Sequence, residues 1–238
     1  MKSNMSFYHD NFDHDHPEFA SVPSKINKCI VLDIDETCVC TFDEMDTLRD
    51  LNILKDPKLI AIRSRIYILS MIDVLTKKGS GDRSVVWGVF RPHLKEFIEF
   101  CLKYFEMVCV WSAGQYEYII PLCDNMFSDT EKPHLIWTNK DCVEYGSILI
   151  KPLDKLYKHP LLKDKFGPHN TIIVDDRESV FIQNPNNGIL IPEYRPEETI
   201  ESMSKDDTAF SQLVSWLQKD EVKYSDDIRN VDKSNIFM

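Results

Sequence analysis

The segment Asp33-Ile34-Asp35-Glu36-Thr37 places two carboxylates two residues apart, directly after the apolar run Cys29–Leu32. Three later apolar runs end in the same way: Met107–Trp111 before Ser112, Ile148–Ile150 before Lys151, and Ile172–Val174 before Asp175-Asp176. Together these side chains supply what phosphoryl transfer to a carboxylate requires. It needs a nucleophilic Asp, an acid for the leaving group, and positive charge to neutralise the phosphoryl oxygens. Asp33 would attack phosphorus. Asp35 would give a proton to the departing oxygen and later take one from water, and a pKa raised by its neighbours suits both jobs. Ser112 offers a hydroxyl and neighbouring N–H groups to a phosphate oxygen, and Lys151 offers a point charge. Asp175 and Asp176 complete an oxygen-rich set of the kind Mg²⁺ prefers.

Each residue alone has an ordinary reading. An Asp or Ser after a strand often caps the next helix, and a Lys usually ends in solvent. Caps do not explain the same pattern at four similar strand ends. Asp33, Asp35, Thr37 and Glu44 also fall at the ligand positions of a calcium loop, but Cys38 stands where that loop requires Gly and a strand precedes it. In a phosphoacceptor receiver domain the acidic pair comes first, and here the order is reversed. There is no GxxxxGK segment, so Asp175-Asp176 does not read as a nucleotide-hydrolase metal site.

Short, continuous apolar runs suit strands buried on both faces of a parallel sheet, and the four runs are expected to be such strands. Between them, Pro92–Tyr104 carries Leu94, Phe97, Phe100 and Cys101 at helical spacing. Gln115–Met126 is expected to be helical despite Pro121, and Thr208–Leu217 reads as a final amphipathic helix. The alternation predicts an α/β fold, a doubly wound, Rossmann-like parallel sheet, whose strand ends gather the polar residues on one side. One stretch breaks the alternation. Arg65–Val74 and Ser84–Phe90 are rich in Ile, Tyr, Val and Trp around Lys77–Arg83, which contains Gly79-Ser80-Gly81; this predicts an inserted β-hairpin cap after the first strand. The expected organisation is a flexible arm over residues 1–26, one domain over 27–219 with an insertion over about 42–90, and a C-terminal tail over 220–238. His9, His14 and His16 lie in the arm and read as part of a solvated segment rather than a Cu²⁺ or Ni²⁺ site.

The chain has 238 residues, 43% hydrophobic and 28% charged, with no apolar run long enough to span a bilayer and no secretory signal at its start. No membrane association and an intracellular location are expected. Seven cysteines, an odd number without a CxxC pair, read as reduced thiols, and Cys38-Val39-Cys40 as strand-edge residues rather than zinc ligands. A net charge of −11 opposes direct nucleic-acid binding and suits a neutral or basic phosphopeptide better than an acidic one.

Ile30–Thr37 resembles the DxDx(T/V) signature of the haloacid-dehalogenase superfamily. More narrowly, the chain resembles the RNA polymerase II C-terminal-domain phosphatases of the NLI-interacting-factor type. The similar stretches are Asp33–Thr37, Phe90-Arg91-Pro92 to Phe97, Val110–Gly114, Lys151-Pro152-Leu153, Ile173–Arg177, and Asn184-Pro185 to Ile191. The resemblance runs from about Lys28 to Leu217 and implies a Mg²⁺-dependent serine/threonine phosphoprotein phosphatase. Carried over residue by residue, it implies Asp33 as nucleophile and metal ligand, Asp35 as acid/base and main-chain metal ligand, and Asp176 as the second carboxylate ligand. Asp175 would support Lys151 from behind, and Tyr118 would flank the substrate groove. Two departures bear on substrate. Ser112 stands where the family often has Thr, and Cys142–Ile150 lacks the His and Arg associated with relatives acting on the polymerase tail.

Three functions fit these residues. The first is a phosphoserine/phosphothreonine phosphatase acting on a phosphorylated protein or peptide. The second is a non-catalytic phosphopeptide adaptor of the same fold, which the retention of both Asp33 and Asp35 disfavours. The third is a phosphatase of small metabolites or nucleic-acid phosphate ends, disfavoured by the small inserted cap.

Overall fold

The computed structural model describes residues 25–72, 79–160 and 162–238. The expected arm up to residue 24, with its three histidines, and residues 73–78 of the hairpin connection lie outside the described residues. The chain opens with β1 (Ile26–Leu32). It then forms β2 (Val39–Phe42), β3 (Ile66–Ile72) and β4 (Arg83–Phe90), and next the helix Leu94–Tyr104 and β5 (Phe105–Trp111). The helix Tyr116–Met126, β6 (Leu135–Trp137), β7 (Val143–Tyr145) and β8 (Ile148–Ile150) follow. β9 (Thr171–Asp175), β10 (Gly188–Leu190) and the helix Ala209–Leu217 complete the main elements.

Five strands form a parallel sheet in the order β10-β9-β1-β5-β6. Its central strands carry continuous apolar runs, Cys29–Leu32, Met107–Trp111 and Ile172–Val174, because both faces are covered. Ile30, Leu32, Val108, Val110, Ile172 and Val174 point into one core, against the helices Leu94–Tyr104, Tyr116–Met126 and Ala209–Leu217. Cys29, Val31, Met107, Cys109, Trp111 and Ile173 point into a second, closed by Leu153, Leu156, Leu162 and Phe166. The first and last of the three helices are joined by Phe97 stacked on Phe210, with centroids 4.3 Å apart. Pro121 lies inside the second of them, which continues through it. The expected α/β fold with a doubly covered parallel sheet is thus observed.

The insertion is a three-stranded antiparallel sheet, β2-β4-β3. The predicted hairpin supplies β3 and β4, and the residues leaving the Asp33–Thr37 segment add β2. Trp87 and Val89 of this sheet bury themselves with Leu48, Ile53, Ile62, Tyr194 and Met203 in a third cluster.

Two expectations change. Ile148–Ile150 is a strand but not a member of the parallel sheet: it pairs antiparallel with β7 in a separate two-stranded hairpin, where Val143, Tyr145 and Ile148 are exposed. Residues 220–238, expected as a tail, put Val222, Ile228 and Ile236 into the main core. Lys28 Nζ ties this segment down by donating to the carbonyls of Lys223 and Ser225. Among the described residues no helix is long and apolar enough to cross a membrane.

Candidate active site

The end of β1 makes the site's floor. Asp33 N–H donates to the Val174 carbonyl at 3.0 Å, continuing the β1–β9 ladder by one residue. The chain then wraps around one acceptor: the Ile34 carbonyl takes the N–H groups of Thr37, Cys38 and Val39. Glu36 adopts φ 55°, the left-handed region that a tight reversal requires. This turn lets two carboxylates two residues apart serve one site, and it delivers the chain into β2. Thr37 is buried; its hydroxyl accepts from the Asp176 N–H at 3.2 Å and lies 3.4 Å from Asp176 Oδ1.

Lys151 is the centre of charge. Its ammonium, 1% exposed, pairs with Asp33 Oδ1 and donates to Asp175 Oδ2 at 2.6 Å. Burial works to lower the Lys151 pKa, but the two carboxylates outweigh it and hold the group above its ordinary value. Lys151 enters from the small β7–β8 hairpin rather than from a parallel strand end, with its N–H on the Val180 carbonyl. The Asp175 carboxyl is raised by burial and by Asp33, against the pull of Lys151. Its second oxygen accepts from Arg177 N–H at 3.0 Å, so both of its oxygens are engaged. Asp175 therefore holds Lys151 with one oxygen and the Arg177 N–H with the other.

Across from this pair, both oxygens of Asp35 accept hydrogen bonds: Oδ1 from the Tyr118 hydroxyl at 2.6 Å, Oδ2 from Ser112 Oγ at 3.3 Å. Burial pushes the Asp35 carboxyl up to about 6, opposed by the Tyr118 hydrogen bond and reinforced by the charge of Asp33. Ser112, buried at the end of β5, also accepts from Gly114 N–H at 2.9 Å, which fixes its rotamer.

Asp33, Asp175 and Asp176 each present an oxygen within 4.8 Å of the others. With Asp175 committed to Lys151 and Arg177, the oxygens open to an ion belong to Asp33 and Asp176. Burial and Asp33 both raise the Asp176 carboxyl, the crowding of like charge that a divalent cation relieves. An all-oxygen, carboxylate-rich set of this kind fits Mg²⁺.

The structure thus brings Asp33, Asp35, Ser112, Lys151, Asp175 and Asp176 together, and adds Tyr118 by a direct contact with Asp35. Residues whose roles the sequence did not reveal support them. Arg91, 1% exposed, donates from two nitrogens to Asp207 at 2.9 and 3.0 Å and from the third to the Thr37 carbonyl at 3.1 Å. Thr41 and Tyr67 join their hydroxyls to that of Tyr118. A lone hydroxyl between apolar Cys40 and Phe42 was the only local hint of the role of Thr41.

Residues 28–229 match the family model of NLI interacting factor-like phosphatases. No curated protein sequence matches the chain. Among solved structures, the fold is similar to that of Fcp1, described as an essential RNA polymerase II CTD phosphatase, with a TM-score of 0.56 and 16% identity. That match covers 71% of this chain and 42% of the other. A variant of fission yeast Fcp1, an RNA polymerase II CTD phosphatase bound to beryllium fluoride, gives a TM-score of 0.57 at 17% identity, covering 79% and 49%. The chain therefore spans less than half the length of these structural relatives. The family match covers nearly all of the described fold, from β1 to beyond the helix Ala209–Leu217: the chain belongs to the NLI interacting factor-like phosphatase family.

Proposed function

We propose that this chain is a Mg²⁺-dependent serine/threonine phosphoprotein phosphatase that works through a phosphorylated Asp33. The observation that carries this reading is the division of labour between the two carboxylates of the β1 turn. Asp33 is held by its ion pair with the Lys151 ammonium, which leaves its other oxygen to attack. Asp35, raised to about 6, is poised to carry and release a proton.

In the first step the free oxygen of Asp33 attacks phosphorus. The bond from phosphorus to the seryl or threonyl oxygen breaks, and that oxygen takes the proton of Asp35. In the second step Asp35 removes a proton from water as its oxygen attacks the phosphoaspartate; the bond to Asp33 breaks, releasing inorganic phosphate and restoring both carboxylates. Lys151 and the Ser112 hydroxyl hold phosphoryl oxygens in place throughout. Asp33, Asp176 and the main chain of Asp35 would hold the Mg²⁺, which when bound neutralises charge on the phosphoryl oxygens.

A peptide substrate is supported by the small inserted sheet, and the polymerase tail by the family and its structural relatives. Against that tail stand the net charge of −11 and the missing His and Arg before Lys151. Purified protein is expected to hydrolyse p-nitrophenyl phosphate with Mg²⁺, and Asp33→Asn to abolish turnover without unfolding the protein. Wild-type turnover in Asp33→Asn would overturn the mechanism. A panel of phosphopeptides, polymerase-tail repeats among them, set beside small phosphometabolites, tests the substrate class; higher kcat/KM on the metabolites would overturn the protein-substrate assignment.

A further inference from the structure

We propose that Tyr118 is a positioning residue for Asp35, held by a chain of hydroxyls that runs back through Thr41 to Tyr67 in the inserted sheet. The proposal rests on Asp35 being the acid/base of the phosphatase reaction. The Tyr118 hydroxyl is turned onto Asp35 Oδ1 at 2.6 Å, a length typical of a donor meeting a carboxylate. Thr41 Oγ1 lies 2.5 Å from the Tyr118 hydroxyl and 2.5 Å from that of Tyr67.

Each hydroxyl carries one proton, so the direction of the chain follows by elimination. Tyr118 spends its proton on Asp35, and its oxygen must accept from Thr41. Thr41 has then spent its own, so it accepts from Tyr67. Tyr118 and Thr41 each accept from the sheet side and donate toward the site, an arrangement in which each bond polarises the next.

A second, independent feature shows that the inserted sheet is shaped for this contact. Tyr67 and Thr41 sit on the two outer strands, β3 and β2, and both face Gly88 on the central strand β4. The Tyr67 ring reaches Thr41 only by lying across that position: a Cβ on Gly88 would stand 2.3 Å from the Tyr67 hydroxyl and 2.5 Å from the Cys40 carbonyl. Gly88 is thus the gap that lets a hydroxyl from the far strand cross the sheet.

The consequence is chemical. With Oδ1 held as an acceptor, the proton that Asp35 donates is assigned to Oδ2, the oxygen beside Ser112. As the Oδ2–H bond breaks and the proton passes to the leaving oxygen, the charge left on the carboxylate is already met by the Tyr118 hydroxyl. The insertion therefore supports the acid as well as bordering the site.

The test compares kcat/KM on phenyl phosphate, whose leaving oxygen needs a proton, with kcat/KM on p-nitrophenyl phosphate, whose leaving oxygen needs much less help. Asp35→Asn provides the reference and is expected to lose far more on phenyl phosphate. Tyr118→Phe keeps the ring and removes only the hydroxyl; it is expected to lose roughly ten- to a hundredfold on phenyl phosphate, the scale of a misplaced catalytic group, and clearly less on p-nitrophenyl phosphate. Thr41→Val, Tyr67→Phe and the remote Gly88→Ala are expected to give the same bias in smaller size, with Tyr67→Phe standing in should Gly88→Ala fail to fold. Equal losses on both substrates in Tyr118→Phe, or none, while Asp35→Asn discriminates between them, would overturn the proposal and leave the phosphatase reading intact. No discrimination in Asp35→Asn would remove the role of Asp35, and the proposal with it.

Discussion

Replacing Lys151 by Met is the sharpest perturbation of the site's electrostatics. Met nearly preserves the length of the side chain, so the main loss is one ammonium that is 1% exposed and lies between carboxylates that are 6% and 0% exposed. Without it Asp33 and Asp175 face one another across a buried space with no intervening ammonium, and Asp175 keeps only the Arg177 N–H. Breaking a buried ion pair by removing one partner costs about 3–5 kcal/mol, because a charge is left uncompensated. At about 2–4 °C per kcal/mol for a domain of this size, the melting temperature in chelator should fall by roughly 6–20 °C. The cause is separable from simple loss of packing by a double-mutant cycle. Asp175→Asn removes one of the two stranded carboxylates, so in the Lys151→Met background it should recover at least about 1.5 kcal/mol relative to its effect in the wild type. Urea unfolding followed by circular dichroism measures both legs. A loss in Lys151→Met under about 1 kcal/mol, the scale of a solvated ion pair, would refute the reasoning, as would additivity in the cycle.

Other outcomes follow from the same contacts. Arg91→Lys keeps the charge but cannot reproduce a fork that grips both oxygens of Asp207 and the Thr37 carbonyl; it should cost about 1.5–3 kcal/mol in urea unfolding and lower kcat through the Asp33–Thr37 turn. His134 Nδ1 accepts from Val108 N–H at 3.1 Å, and burial depresses its pKa. The folded state thus prefers the neutral ring. The stability this contributes is fully present above about pH 6.5, the unfolded value, and is lost as pH falls through the lower folded value. Between pH 7.5 and 5 the wild type should therefore lose more unfolding free energy than His134→Gln, and equal losses would contradict it. Removal of divalent cations by chelation should abolish turnover, and adding Mg²⁺ back should restore it and raise the melting temperature by relieving the crowding of Asp33 and Asp176. A Mg²⁺ effect on the melt that persists in Asp176→Asn at full size would place the ion elsewhere.

Much of the fold was legible where a single periodic signal spans many residues. The runs at Cys29–Leu32, Met107–Trp111 and Ile172–Val174 are apolar throughout because both sheet faces are covered, and the helices show their buried stripes. Three-residue elements were not legible. β6 and β10 are too short to show a period, and Ile148–Ile150 looks like a core strand although its pairing partner, Val143–Tyr145, is exposed. The segment after Leu217 read as a tail because Val222, Ile228 and Ile236 are too widely and irregularly spaced to announce an element. They are buried by the tertiary anchors at Lys28 and at His169, whose carbonyl accepts from Ile228 N–H.

The candidate members of the site were legible in the sequence, because which groups can attack, protonate or neutralise is a property of side chains, and their places after apolar runs are local. The sequence alone therefore singled out Asp33, Asp35, Ser112, Lys151, Asp175 and Asp176 as a candidate set, and the structure brings them together. How they are wired was decided only by tertiary structure. Lys151 meets Asp33 across 118 residues of chain, by way of a hairpin rather than a parallel strand. Tyr118 meets Asp35 across 83 residues and Thr41 across 77. Hydrogen bonds join atoms at about 3 Å, and no spacing along a chain specifies that distance between elements so far apart. Packing does, and it brings the Tyr118 hydroxyl onto Asp35.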